Sequence, residues 1–189
     1  MTQALDLPFS LAGRKALVTG GSRGIGAAIA TLFAEAGAEL AICHYGDGEG
    51  ASALANSFAE SGRTLHTREC DVAQEDEVAE LTAWTAEALG KIDILVNCAG
   101  IGIASRTLGR EEPHSLSLFQ KVITVNTVGS FNAIRLVPRK KFGLRLAALV
   151  QVGPRPRHLV RERAQQRASQ PKSPQRVVRA NAVANRRGE

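Results

Sequence analysis

The stretch that decides the fold is Thr19-Gly20-Gly21-Ser22-Arg23-Gly24-Ile25-Gly26, a glycine-rich turn after a short apolar run. The run Lys15–Thr19 predicts a buried strand, and residues 24–36 carry apolar side chains at helical spacing up to a capping Gly37. Glycine leaves the backbone accessible to a ligand, and a helix N-terminus offers unpaired N–H groups to phosphate oxygens. The turn therefore predicts a phosphate-binding site, although tight packing of a helix on a strand would use the same glycines.

Strands and helices are predicted to alternate along the chain as far as residue 137. Glycines at 62 and 90 are expected to end two of the helices. The predicted strands cover 15–19, 39–43, 64–70 and 92–97, the helices 24–36, 51–61, 78–89 and 115–136, and a candidate fifth strand 146–152. Strands separated by helical segments of this length predict an α/β fold with a doubly wound parallel sheet.

Charge divides the chain at Pro138. The net charge is +6, but residues 1–137 hold 10 Lys and Arg against 16 Asp and Glu, whereas residues 138–189 hold 14 against 2. The second segment is also rich in Pro and Arg, and between 153 and 175 it has too little apolar surface to order itself. We therefore predict a folded domain over 1–137 and a basic, poorly ordered tail over 138–189.

The cysteines and histidines give no metal-binding spacing. Cys43, Cys70 and Cys98 each end an apolar run, which favours reduced and inert core thiols. The four histidines form no i, i+4 pair, so no metal site is assigned. No apolar run reaches the ~18 residues of a membrane span, and we expect a cytoplasmic protein.

Polar motifs follow the predicted strands at intervals that resemble the short-chain dehydrogenase/reductase family. The matching motifs are Thr19-Gly20-x-x-x-Gly24-x-Gly26, Asp71-Val72, Asn97-Cys98-Ala99-Gly100 and Asn126. The resemblance implies a Rossmann-like sheet, here incomplete on its C-terminal side, that binds a nicotinamide dinucleotide. It further implies that Asp71 binds the adenine, that residues 97–100 lie beside the cofactor, and that Asn126 orders a water in the proton relay.

The preferred cofactor depends on the end of the second strand, where an acidic residue would favour NAD. His44 lies at or near this position, and the first carboxylate comes only at Asp47. Arg23 adds a cation that can pair with a 2′-phosphate, so NADP(H) is favoured over NAD(H). The predicted cofactor-binding residues are Gly20, Ser22, Arg23, Gly24, Ile25, Gly26, His44, Asp71, Val72, Asn97, Ala99 and Gly100.

The substrate class follows from two branches of the family. The glycine turn is similar to that of 3-oxoacyl-carrier-protein reductases, whereas residues 96–136 are more similar to 3-hydroxyacyl-CoA dehydrogenases. Both branches act on 3-oxo or 3-hydroxy acyl thioesters, and this is the substrate class that the resemblance implies.

The catalytic Ser, Tyr and Lys of the family are not found at their expected places. Pro154 follows the candidate fifth strand where the Ser is expected, and the only tyrosine is Tyr45, in the cofactor half. Lys172 lies near the expected lysine position but has no tyrosine to tune. Asn126 is therefore the one relay residue retained, and we expect turnover to be impaired.

Three accounts of the chain follow. It is an oxidoreductase with an impaired relay, a catalytically inactive nucleotide-binding remnant, or a protein whose basic tail binds nucleic acid. Phe142 is the sole aromatic residue of the tail, which is too little for base stacking, so nucleic acid is the least favoured partner. The abrupt change of composition is also what a frameshift or a mis-spliced exon would produce. Loss of the family's next helix would compromise its subunit interface and leave the strand at 92–97 as a sheet edge.

Overall fold

The computed structural model describes residues 9–109, 112–137 and 146–149. Strands and helices alternate as the sequence predicts. The strands are β1 (Lys15–Thr19), β2 (Glu39–His44), β3 (Leu65–Glu69), β4 (Ile94–Asn97) and β5 (Leu146–Leu149). The helices are α1 (Gly24–Glu35), α2 (Gly48–Glu60), α3 (Glu75–Leu89), α4 (Leu116–Ile123) and α5 (Gly129–Leu136), with a π-helical turn (Thr124–Val128) between the last two.

The five strands form one parallel sheet in the order β3-β2-β1-β4-β5. From β1 the chain proceeds outward to β3 and then crosses to β4 on the other side, so the winding direction reverses between β1 and β4. Ligands bind at such a reversal in open parallel sheets. The doubly wound α/β fold is confirmed.

Strand β4 is not a sheet edge, which corrects one expectation. Its residues pair in parallel with β5, in the register Ile94↔Leu146 to Asn97↔Leu149. The sheet therefore continues past the predicted boundary at Val137, because four residues of the predicted tail supply a neighbouring strand. The predictions for 138–145 and 150–189 lie outside the described residues.

Side-chain alternation along the strands produces one hydrophobic cluster on each face of the sheet. Leu17 and Leu95 point to the face covered by α3 and α5. Ala16, Val18 and Ile42 point to the opposite face, where α1 and α2 lie. Burying a side chain of the size of Leu or Val contributes about 1.5–3 kcal/mol, so the two clusters hold the strand ends in place.

The first three helices end within one residue of their predicted ends, and α1 begins where predicted, but α2 and α3 begin earlier. Gly37, Gly62 and Gly90 follow α1, α2 and α3 with φ values of 94°, 73° and 81°, which is the left-handed conformation of a helix C-terminus. Both α2 and α3 begin three residues before their predicted starts. Their first turns are polar and exposed, so apolar spacing cannot reveal them.

The long helix predicted over 115–136 contains an unexpected π-helical turn. The turn adds one residue to the helical path, and Ile123 and Val128, which are both exposed, are five positions apart. α4 buries none of its residues. Within the described residues, no helix is long and apolar enough to cross a membrane.

Candidate functional site

The carboxyl ends of β1 and β4 are joined at the point where the winding reverses. The Thr19 hydroxyl accepts hydrogen bonds from the backbone N–H groups of Cys98 and Ala99, both at 3.2 Å. Cys98 N–H also donates to the Thr19 carbonyl at 3.1 Å. The glycine turn and the 97–100 turn therefore form one rigid wall of the site, and Thr19 is a clamp that the predicted site residues did not include.

Two glycines of the turn are required by packing. A Cβ on Gly20 would lie 2.7 Å from the backbone N and Cα of Ala99. A Cβ on Gly26 would lie 2.1 Å from the Gly20 carbonyl oxygen. The alternative of tight packing therefore explains these two positions, since any larger residue would separate the turn from its neighbours.

Gly24 differs from Gly20 and Gly26. Its φ is +58°, and nothing lies within 4 Å of the position that a Cβ would take. It begins α1, whose first N–H groups have no acceptor inside the helix. α1 lies wholly within the described residues, and neither the Arg23 side chain nor an acidic first-turn residue caps it. An open, uncapped helix N-terminus at a sheet reversal suits a phosphate group.

Two buried polar atoms at the same edge of the sheet have no partner among the described residues. They are Nδ1 of His44, at the end of β2, and Nδ2 of Asn97, at the end of β4. An unpaired buried polar group costs about 1–3 kcal/mol, so such atoms point to a water or ligand. A dinucleotide with hydroxyl and amide groups along this edge fits them.

At the end of β2, a carboxylate lies against the glycine turn. Ser22 Oγ donates to Asp47 Oδ2 at 2.7 Å, and Arg23 Nε lies 3.8 Å from the same oxygen. The sequence showed Asp47 only as the first acid after the strand, and its contact across 25 residues had no sequence signal. The Arg23 side chain is 82% exposed, so water screens its ion pair with Asp47 and the guanidinium can reorient toward an anion.

Asp71, at the end of β3, is held by local contacts. Its Oδ1 accepts from Ala73 N–H at 2.9 Å, and its own N–H donates to Glu77 Oε2 at 2.7 Å. Val72 is buried against Gly129, where a Cβ would lie 2.8 Å from Val72 Cγ2. The Ala73 N–H thus orients the Asp71 carboxylate, and Glu77, a residue that the sequence did not single out, holds the Asp71 backbone.

Asn126 lies in the π-helical turn and contacts the loop after β4. Its amide pairs with the backbone of Ile101, and a Cβ on Gly100 would lie 3.3 Å from its Oδ1. Tyr45, the only tyrosine of the sequence, is exposed beside β2. The structure thus brings together Gly20 with Ala99, Ser22 and Arg23 with Asp47, and Gly100 with Asn126.

A parallel sheet that winds both ways from a glycine turn, with an open helix N-terminus at the reversal, defines a Rossmann-type dinucleotide-binding domain. The family model described as short chain dehydrogenase matches residues 14–150. The chain belongs to the short-chain dehydrogenase family.

Known proteins support the same assignment. The chain is 36% identical over 130 residues to "3-hydroxyacyl-CoA dehydrogenase type-2" of Bos taurus, covering 68% of this chain and 48% of that protein. A dehydrogenase/reductase of Sinorhizobium meliloti matches with a TM-score of 0.65 at 38% identity, covering 71% of this chain and 51% of the other. A short chain dehydrogenase of Burkholderia cenocepacia in complex with NADP matches with a TM-score of 0.64 at 36% identity, covering 70% and 52%. The chain spans about half the length of the relatives it matches.

Proposed function

We propose that this chain binds a nicotinamide dinucleotide at the reversal between β1 and β4, with the pyrophosphate at the N-terminus of α1. The observation that carries the proposal is the open space beside Gly24 on an uncapped helix. The first N–H groups of α1 have no acceptor inside the helix and are therefore available to phosphate oxygens. His44 and Asn97 supply polar atoms farther along the same edge.

NADP(H) is the favoured cofactor. Arg23 presents an exposed guanidinium beside the turn, and a guanidinium pairs well with a phosphate. His44, rather than a carboxylate, ends β2, so no acid at that position repels a 2′-phosphate. The B. cenocepacia relative is in complex with NADP.

The reaction of the family type is hydride transfer between the nicotinamide and a carbonyl or hydroxyl carbon. The name of the bovine relative supports a 3-oxo or 3-hydroxy acyl thioester as the substrate class. Such a transfer needs a proton at the substrate oxygen, and a Tyr with a lowered pKa is its source in the resembling family. Tyr45 is exposed at the end of β2 and is the only tyrosine, so turnover in this chain is impaired. The alternative is a nucleotide-binding remnant with no turnover.

The cofactor site is tested by placing a charge at Ile25, which is exposed in the first turn of α1. Ile25→Asp stabilises the helix start through its dipole but repels a pyrophosphate, whereas Ile25→Asn has nearly the same size without the charge. NADPH binding to the full chain is followed by nicotinamide fluorescence. We expect Ile25→Asp to bind at least about tenfold more weakly than Ile25→Asn. Equal affinities, or no binding to the unaltered chain, would contradict the proposal.

Turnover is tested by mixing the chain with NADPH and a 3-oxoacyl thioester. We expect binding without a sustained fall of absorbance at the nicotinamide band, and a sustained fall would show that the relay is not impaired. The coding DNA after Leu136 tests the origin of the basic segment. If neither other frame encodes a Ser followed by Tyr-x-x-x-Lys, the frameshift explanation fails.

We also propose that the subunit interface is compromised. The sequence gives no match to the family's next helix, which would share this interface, and the 116–136 helical span exposes the large apolar side chains Leu116, Leu118, Phe119, Ile123, Val128 and Phe131. Light scattering at micromolar concentration should detect no discrete dimer or tetramer, and a stable one would contradict this. The cytoplasmic location stays a prediction.

A further inference from the structure

Asp47 occupies the N-cap position of α2, but its carboxylate does not cap that helix. Within the described residues, the side chain makes no hydrogen bond to the first turn of α2 and binds the Ser22 hydroxyl instead. The Nε of Arg23 lies 3.8 Å from the same carboxylate oxygen. An acid at the N-cap position ordinarily accepts hydrogen bonds from the free N–H groups of the first turn. The Asp47 carboxylate instead accepts from Ser22, which is 25 residues away in the sequence.

Gly50 makes this position available. A Cβ at Gly50 would lie 2.8 Å from Asp47 Oδ2 and 2.9 Å from Oδ1. Gly50 has no left-handed φ that would require glycine. The absence of a side chain at this position leaves the space that the Asp47 carboxylate occupies. A methyl group there would displace the flexible carboxylate rather than the backbone.

We propose that Asp47 is a specificity-determining residue that lowers the affinity of the site for a dinucleotide carrying a 2′-phosphate. This inference rests on the proposed function. The groups that would receive the phosphate, Arg23 and Ser22, are already bound to Asp47. A phosphate dianion reaching Arg23 would also face the carboxylate at close range, which is unfavourable. Ribose hydroxyls, in contrast, can donate hydrogen bonds to it.

The expected size of the effect of Asp47 on cofactor preference follows from the exposure of the Arg23 and Asp47 side chains. The Arg23 side chain is 82% exposed and that of Asp47 is 23% exposed, so water and salt screen part of the interaction. Asp47 therefore reduces the preference for NADP(H) that Arg23 creates without reversing it.

Asp47→Asn tests the inference, because it keeps the shape and removes the charge. The full chain is titrated with NADPH and with NADH, and nicotinamide fluorescence reports each dissociation constant without turnover. We expect the ratio of NADPH affinity to NADH affinity to rise about three- to tenfold at low salt. Glu49→Gln removes the same charge from an exposed position two residues away and should change the ratio less than twofold. An Asp47→Asn ratio equal to that of Glu49→Gln would overturn the inference.

Gly50→Ala is a second test that preserves the charge and moves it. Displacement of the carboxylate from Ser22 should raise the same ratio, and an unchanged ratio would overturn the inference. The two proposals fail in different ways. If the unaltered chain binds neither cofactor, both fail, whereas binding of both cofactors with ratios unchanged in Asp47→Asn rejects the role of Asp47 alone.

Discussion

The side-chain amide of Asn126 pairs with both backbone groups of Ile101. Asn126 Oδ1 accepts from Ile101 N–H at 2.8 Å, and Asn126 Nδ2 donates to the Ile101 carbonyl at 2.9 Å. The amide imitates a neighbouring strand and fixes the loop after β4 on the π-helical turn. π-helical turns are often found at functional sites, and here the turn carries Asn126, the residue predicted to belong to a proton relay.

Replacing Asn126 should therefore weaken the fold as well as any relay. We expect Asn126→Ala to lower the free energy of unfolding by about 1–3 kcal/mol, because the Ile101 backbone groups lose their partners. Urea denaturation followed by circular dichroism measures the change. Asn56→Ala, at an exposed position in α2, is the matched control and should change stability by less than about 0.7 kcal/mol. A loss at Asn126 no larger than that of the control would contradict a tethering role.

The sequence predicts most of the fold because periodicity and glycine reveal it directly. Lys15–Thr19 and the stop at Gly90 follow from local patterns, and the structure confirms both. The starts of α2 and α3 are missed because their first turns have no apolar face. Prediction of the site has the same limit. The glycine turn can be recognised in the sequence, whereas the hydrogen bond between Ser22 and Asp47 is a tertiary contact that no sequence pattern indicates.

The thiols of Cys43 and Cys70 should be inert in the folded protein. Both are buried, and the hydrogen bond between them raises the pKa of Cys70 but lowers that of Cys43, so burial is what protects Cys43. Burial also raises the pKa of Cys98. Because the thiolate is the reactive form, we expect an aromatic disulfide reagent at neutral pH to label Cys43 and Cys70 only after denaturation. Peptide mapping of the labelled sites checks this, and rapid labelling of either residue in the folded chain would contradict it.

Asp93 connects the beginnings of β1 and β4 and should make stability depend on acid. Its carboxylate accepts from Lys15 N–H at 3.0 Å and from Lys91 Nζ at 3.0 Å. Burial opposes ionisation of Asp93, but the hydrogen bonds from Lys91 and Lys15 and the nearby positive charges outweigh it and lower its pKa.

A lowered pKa means that the ionised carboxylate stabilises the fold above its ordinary pKa of about 3.9, and that this stability is lost as the pH falls through the lower folded value. We expect Asp93→Asn to cost about 1–2 kcal/mol near pH 7 and progressively less below about pH 4. Urea denaturation across this range measures the difference. Glu87→Gln, at an exposed position of α3, should show almost none, and an Asp93→Asn cost that grows in acid would refute the assignment.

Gly129 allows α5 to approach the loop after β3, and filling its space should destabilise the fold. A Cβ there would lie 2.8 Å from Val72 Cγ2 and 2.9 Å from the Val72 carbonyl oxygen. Alanine gains about 1 kcal/mol in helix propensity, but overpacking in a core costs about 1–3 kcal/mol. Because one of the two close atoms is backbone, we expect the clash to exceed the gain and Gly129→Ala to lower the thermal midpoint.

Val72→Ala separates the two clashes. It removes Cγ2 and leaves the carbonyl, so Gly129→Ala should cost less in the Val72→Ala background than in the unaltered chain, with a coupling of about 0.5–2 kcal/mol in the double-mutant cycle. Additive losses would mean that the carbonyl alone sets the approach of α5. The unaltered chain, the two single variants and the double variant are also titrated with NADPH. Because residues 71 and 72 are adjacent, a displaced α5 that moves Val72 should move Asp71 as well, and the NADPH affinities show whether this packing positions Asp71.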